Sequence, residues 1–243
     1  MGLLKRIRRI DPAASGPVRI AWFQFARTLL WLGCSAFWRI RAFGLTNIPP
    51  TGPVLLLANH QSFLDLVVIG GPIVTRNFHP MARKTLFKGT FGKLIASVNA
   101  TPIDQEKSDL AGLRRVIELL KGGNIVLVFP EGSRTPDGFV KEFQEGLMLL
   151  IRRAQPMVVP VAVEGPFDVW RIKQKLPHLT GRMASKFGKP IPAAELLAMP
   201  PGAAMSHISQ IIDTMRLELR QALRTQTDGR FPPPGPTDGP SFS

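Results

Sequence analysis

Three apolar runs alternate with stretches of helical spacing, and this alternation constrains the fold of the chain more than any other feature. Val54-Leu55-Leu56-Leu57-Ala58 reads as a buried strand, residues 124–129 as a second and residues 157–164 as a third. Between the first two, Leu110, Leu113, Ile117 and Leu120 keep the spacing of one helix face, and Gly122-Gly123 stops that helix. Further on, the pattern predicts a helix over 146–154 with Leu147, Leu150 and Ile151 inward. A short strand over 182–187 follows, then a long amphipathic helix over 205–223 carrying Ile208, Ile211, Ile212, Met215 and Leu219. The order is that of an α/β fold, a largely parallel or mixed central sheet covered by helices. Ile48-Pro49-Pro50-Thr51-Gly52-Pro53 marks the start of this globular part.

Two of the predicted strands run directly into polar motifs. The first is Asn59-His60-Gln61-Ser62-Phe63-Leu64-Asp65. A neutral imidazole can take a proton from a hydroxyl, and a carboxylate can fix its tautomer. On one regular helix residues five apart lie roughly 140° apart around the axis. His60 and Asp65 therefore meet only if His60 lies in the loop or at the helix start, and Gln61-Ser62 suits an N-cap for a helix over 63–69. The alternative is a capping aspartate beside an unrelated solvated histidine. The second motif is Phe129-Pro130-Glu131-Gly132-Ser133-Arg134. Glycine lets the backbone approach a ligand closely, and arginine grips phosphate through a planar fork. The plain reading of the same residues is a turn after a strand with Arg134 in solvent.

Taken together, in this order and about seventy residues apart, the two motifs resemble those of the glycerolipid acyltransferase family, whose bacterial type is 1-acylglycerol-3-phosphate acyltransferase. Its N-H-x-S-x-x-D block matches at Asn59, His60, Ser62 and Asp65, and its F-P-E-G-[ST]-R block at Phe129 through Arg134. Lys84-Thr85-Leu86-Phe87 is similar to its K-x-x-L-F block, and Val159-Pro160-Val161 to its V-P-V strand. One block departs. Where the family reads I-D-R, with the arginine contributing to acceptor phosphate binding, this chain reads Ile103-Asp104-Gln105. Glutamine donates hydrogen bonds but carries no charge. That leaves Lys84, Arg134 or Lys107 to supply the charge, and leaves a non-phosphate or zwitterionic lyso-lipid acceptor open.

The resemblance implies an α/β acyltransferase domain with His60 as general base and Asp65 holding its imidazole. Lys84, Glu131, Gly132, Ser133 and Arg134 are expected to bind the acceptor, Lys84 and Arg134 at its phosphate, with Asp104 and Gln105 as further acceptor-site contacts. Backbone N–H groups around Gly132 are candidate oxyanion donors. Glu131 fixes the loop or binds acceptor hydroxyls. The donor would be acyl-CoA or acyl carrier protein, with no metal and no other cofactor.

A formal net charge of +14 calls for a polyanionic partner, nucleic acid or an anionic membrane surface. The distribution favours the membrane. Lys5, Arg6, Arg8, Arg9, Arg19, Arg27, Arg39 and Arg41 crowd the start of the chain against Asp11 alone, and three of the four tryptophans fall among them. Tryptophan prefers the bilayer interface. Between Arg27 and Arg39 lie eleven residues, about 16 Å as helix, against a hydrocarbon core of about 30 Å. An interfacial helix or a shallow helical hairpin fits better than a spanning helix. The other reading is an apolar helix packed on its own domain. The single cysteine, Cys34, excludes an intrachain disulfide.

The expected organisation is thus a membrane-binding helical segment at 1–45, an acyltransferase domain at 46–224 and a disordered Pro/Gly-rich tail at 225–243. The expected activity is acyl transfer to the free hydroxyl of 1-acylglycerol-3-phosphate, giving phosphatidic acid for phospholipid biosynthesis. The expected location is the cytoplasmic membrane, peripheral or monotopic, with the site facing the cytoplasm. A different lyso-lipid acceptor, a lipase-like hydrolase and a non-catalytic basic membrane-binding protein are the alternatives.

Overall fold

The structure, a computed structural model, describes residues 17–74, 76, 78–83, 101–103 and 110–242. Its centre is β2 (Val54–Ala58), every residue of which is buried. It runs parallel to β5 (Ile125–Val128) on one side and to β6 (Met157–Glu164) on the other, with Val54 opposite both Ile125 and Met157. Beyond β5 lie β3 (Phe78–Arg83) and β4 (Thr101–Ile103), both parallel. Beyond β6 lies antiparallel β7 (Ala184–Phe187), which pairs in parallel with β1 (Arg41–Phe43). β8 (Ile191–Pro192) adds a short antiparallel pairing to β6. The expected largely parallel or mixed sheet is found, with its antiparallel pairs confined to the β6–β7–β8 side.

Alternation along β2 sends its residues to two cores. Leu55 and Leu57 join Val126, Val128 and Val158 on one face. That face is covered by α3 (Leu110–Lys121), α4 (Leu147–Ala154) and α7 (Pro201–Thr225). Val54, Leu56 and Ala58 join Ile125 and Leu127 on the other, under α1 (Pro17–Trp38) and α2 (Asp65–Gly70). Helices α5 (Pro166–Val169) and α6 (Ala193–Leu197) are short connectors. On α3 the buried stripe is Val116, Leu119 and Leu120, with Leu113 and Ile117 packed at its edge. The stripe is turned slightly from the expected one.

Helix α1 divides into two faces. Phe23 and Trp38 are buried, and Arg27 and Trp31 lie half-buried between them. Arg27 donates to the carbonyls of Gly70 and Ile73, where α2 ends, a favourable place for a cation. Opposite, Trp22, Phe25, Leu29 and Leu32 form an exposed apolar stripe. Packing on the domain and exposing an apolar face are both realised, on opposite sides of one helix. None of the described helices is long and apolar enough to cross a membrane. Lys5, Arg6, Arg8 and Arg9 lie outside the described residues.

The C-terminal expectation is corrected. Residues 226–242 do not trail away but pack against α7. Arg216 donates to the carbonyls of Thr237 and Gly239 at 2.8 and 2.9 Å. Arg220 Nε reaches Asp238 Oδ1 at 2.7 Å, and Ser241 N reaches Asp213 Oδ2 at 2.6 Å. A proline-rich chain cannot supply its own ladder of hydrogen bonds, but its carbonyls accept well from arginine forks. The side chains of one helix thus order a segment whose composition alone predicts disorder.

Candidate active site

The loop from β2 to α2 carries the first motif. Asn59 anchors it by pairing both amide atoms with the backbone of Val163, accepting at 2.7 Å and donating at 2.9 Å. Asp65 is the first residue of α2 and fully buried. Its Oδ2 gathers three partners: Gln61 N at 2.6 Å, Ser62 N at 2.9 Å and His60 Nδ1 at 2.8 Å. The loop curls back over the helix start, so a pair that could not meet on one helix meets across a turn. Ser62 does not cap α2; its hydroxyl donates to Trp170 O at 2.8 Å and accepts from Leu64 N. With Nδ1 donating to Asp65, the lone pair of His60 sits on Nε2. The His60 side chain keeps 20 % exposure while that of Asp65 keeps none, so the pair opens toward solvent at the imidazole.

The second motif closes on the first. Phe129 stacks on the His60 ring with centroids 3.9 Å apart and planes 15° apart. His60 N donates to Glu131 Oε1 at 3.1 Å, and Thr135 N donates to His60 O at 2.8 Å. Both main-chain groups of the histidine are therefore held by the loop after β5. Glu131 is buried, its Oε2 has no hydrogen-bond partner among the described residues, and burial pushes its carboxyl up to about 8. Backbone donors and the charge of Lys141 oppose that rise without cancelling it.

Gly132 sits at φ +72°, where a side chain is strained, and a Cβ there would come within 2.6 Å of Gln144 Nε2. Its own N–H donates to Phe129 O at 3.1 Å. Arg134 sits over the Phe63 ring, Cζ 3.6 Å from its centroid. Lys141 Nζ donates to Ser133 Oγ and to Arg134 O, both at 3.1 Å.

His60, Asp65, Glu131, Gly132, Ser133 and Arg134 thus come together at the ends of two neighbouring parallel strands. Lys84, Asp104, Gln105 and Lys107 lie outside the described residues. Sequence reasoning missed Lys141, a cation at the heart of the second loop. It also missed the support under Gln61. Gln61 Nε2 donates to buried Glu164 Oε2 at 3.0 Å, and its Oε1 accepts from Phe167 N at 3.2 Å. No motif marks either residue. Among the described residues no group of three His, Cys, Asp or Glu side chains could hold a metal ion.

A histidine–aspartate pair at the strand ends of an α/β sheet, with one imidazole nitrogen left open, has the chemistry to take a proton from an incoming hydroxyl. The chain belongs to the acyltransferase family, whose model matches residues 39–164, and it is an acyltransferase enzyme. It is 24 % identical over 202 residues to the 1-acyl-sn-glycerol-3-phosphate acyltransferase of Bacillus subtilis, covering 83 % of this chain and 98 % of that one. To the bovine 1-acyl-sn-glycerol-3-phosphate acyltransferase alpha it is 26 % identical over 196 residues, covering 79 % and 66 %. Its fold matches the crystal structure of the 1-acyl-sn-glycerophosphate (LPA) acyltransferase PlsC from Thermotoga maritima. The TM-score is 0.67 at 22 % identity, over 81 % of this chain and 80 % of that one.

Proposed function

We propose that the protein moves a fatty acyl group from a thioester, acyl-CoA or acyl carrier protein, to the free hydroxyl of 1-acylglycerol-3-phosphate, giving phosphatidic acid. The observation that carries this reading is the 2.8 Å contact between His60 Nδ1 and Asp65 Oδ2, which leaves Nε2 as the base. Nε2 takes the acceptor's proton as the hydroxyl oxygen attacks the thioester carbonyl. The carbonyl π pair moves onto oxygen, returns as the C–S bond breaks, and the imidazolium gives its proton to the departing sulfur. Asp65 stabilises the imidazolium through the same hydrogen bond. The relatives' names support the acceptor, and Arg134 and Lys141 supply cations beside the site for its phosphate.

Acceptor and product are both lipids, so the site must work at a bilayer surface. The exposed stripe Trp22, Phe25, Leu29 and Leu32 on α1 suits an interfacial helix that holds the protein there. Its position next to α2, which begins with Asp65, would bring the pair close to the headgroups.

The test is incubation with lysophosphatidic acid and radiolabelled acyl thioester in bilayers, with His60→Ala alongside. Labelled phosphatidic acid from the native protein and none from the variant is the expected result. Labelled free fatty acid in place of an ester would show hydrolysis instead, and equal product from both proteins would overturn the role of His60.

A further inference from the structure

Between α5 and β7 the chain leaves the domain surface, and residues 170–182 form an outer loop whose character matches nothing the chemistry requires. Leu176 and Leu179 are the most exposed large apolar side chains described, at 79 % and 72 %, and Ile172 is exposed beside them. Arg171, Lys173, Lys175 and Arg182 stand among them, with no acidic residue in the stretch.

This loop has a fixed shape. Trp170 Nε1 donates to Gln174 O at 3.1 Å, Arg171 N to Gln174 Oε1 at 2.8 Å and His178 N to Val169 O at 2.8 Å. Apolar tips held out in water by a hydrogen-bonded loop forgo the free energy of burial, and exposed apolar groups of this kind mark interaction sites.

The loop is tied at both sides to elements already discussed. Trp38 Nε1, in the last turn of α1, donates to His178 O at 2.9 Å, and Phe37 beside it is 59 % exposed. On the other side Ser62 Oγ donates to Trp170 O at 2.8 Å, and the rings of Trp170 and Phe63 lie 5.5 Å apart. Phe63 in turn carries the Arg134 guanidinium. One continuous set of contacts thus runs from the end of α1, through the loop, to the rim of the His60 site.

We propose that residues 171–179 are a second lipid-contact element, inserting Ile172, Leu176 and Leu179 into the surface of an anionic bilayer while Arg171, Lys173 and Lys175 meet headgroup phosphates. With α1 it gives two attachment points, and two points fix an orientation where one leaves a pivot. The mouth of the site, between them at Phe63 and Trp170, then faces the lipid. This rests on the interfacial reading of α1 proposed above. An acidic protein would satisfy the cations but not the two projecting leucines, which is why the bilayer is the favoured occupant.

The test is co-sedimentation of the full chain with phosphatidylcholine vesicles, with and without phosphatidylglycerol, for three variants whose thermal midpoints are checked first. Leu176→Ser/Leu179→Ser should weaken partition onto vesicles roughly tenfold or more, since each leucine forfeits apolar burial. Lys173→Glu/Lys175→Glu should lose most of the gain that phosphatidylglycerol gives. Trp22→Ser/Leu29→Ser reports on α1 alone. If only the α1 variant loses binding, the loop inference fails while the interfacial helix stands; if the native chain binds neither vesicle, both fail. Unchanged vesicle binding by the loop variants, together with lost binding to purified acyl carrier protein, would make the loop a protein-docking site and overturn the lipid assignment.

Discussion

Gln61 Nε2 donates to Glu164 Oε2 at 3.0 Å, so the residue beside His60 rests on a carboxylate held from the far helix. Glu164 is buried at the end of β6; Arg220 of α7 donates to its Oε1, and Arg216 lies 3.9 Å from its Oε2. Burial raises the Glu164 carboxyl above its ordinary range, and the two guanidinium charges oppose that rise. Arg220 also holds Asp238 and Pro233 O of the C-terminal segment. The loop that carries His60, the last long helix and the C-terminal segment are therefore one connected polar network.

Arg220→Ala should expose how much this network supports. Removing one partner leaves Glu164 buried beside a more distant cation, a change that typically costs about 3–5 kcal/mol. Urea unfolding should show a loss of that order. Truncation after residue 230 should cost less, because Arg220 and Glu164 still pair, while removing the acceptors at Pro233, Thr237, Asp238 and Gly239. A truncation as damaging as Arg220→Ala would show that the C-terminal segment, not the ion pair, is the main support.

Asp65→Asn tests the orienting role. The aspartate oxygen accepts from His60 Nδ1 and from two backbone amides. An asparagine can keep one oxygen toward the amides, but its NH2 can then face the ring and favour the tautomer with the proton on Nε2. The expected effect is a fall in kcat of about 10³–10⁴-fold, the size seen when a catalytic histidine is held in the wrong tautomer. KM for the acceptor should change little, because Asp65 is fully buried and cannot touch substrate. A KM effect larger than the kcat effect would sink the assignment.

The parts of this molecule legible in its sequence are those set by local pattern. β2, β5 and β6 announce themselves because strands buried on both faces are apolar throughout, and the two polar motifs are legible because each directly follows such a strand. What was not legible depends on partners far along the chain. β1 is three residues long and pairs with β7, and nothing in Arg41-Ala42-Phe43 points to Ala184. Arg216 and Arg220 look like the solvated face of an amphipathic helix, yet are 0 % and 4 % exposed, because their acceptors come from the C-terminal segment and β6. Arg76 is likewise buried, donating to Pro49 O and Gly52 O. The meeting of His60 and Asp65 was conditional on where the helix starts, which the buried carboxylate itself decides by gathering the preceding amides.

Gly132→Ala should damage the second loop in a measurable way. An L-residue in left-handed backbone costs about 1–2 kcal/mol, and the new methyl group meets Gln144 Nε2, the far end of a flexible side chain. Gln144 can move, so the backbone term should dominate thermal stability. Activity should fall further than stability alone explains, because Phe129, Glu131 and Thr135 all contact His60 from this loop. Adding Gln144→Ala should leave most of the defect in place; full rescue would show that the clash, not the backbone, is responsible.

Glu131→Gln isolates a pH effect on stability. The native carboxyl is raised from an ordinary 4.5 to about 8, chiefly by burial. The folded state therefore holds its proton across a window in which the unfolded chain has released it. Stability from this group is fully present below about 4.5 and falls as pH rises toward about 8, by up to about 1.4 kcal/mol for each pH unit within that window. Glutamine keeps a carbonyl oxygen for the His60 N–H and cannot titrate. The variant should be no more stable than the native protein at pH 4.5 and progressively more stable relative to it as pH approaches 8, read by urea unfolding at each pH. The activity profile should separate the two roles left open for this residue. If Glu131 only fixes the loop, the variant keeps kcat and loses only the pH dependence of stability; if its Oε2, without a hydrogen-bond partner among the described residues, bonds the acceptor's hydroxyls, KM for the lyso-lipid rises as well. Parallel stability curves for the two proteins across the whole range would show that Glu131 does not hold its proton in the fold.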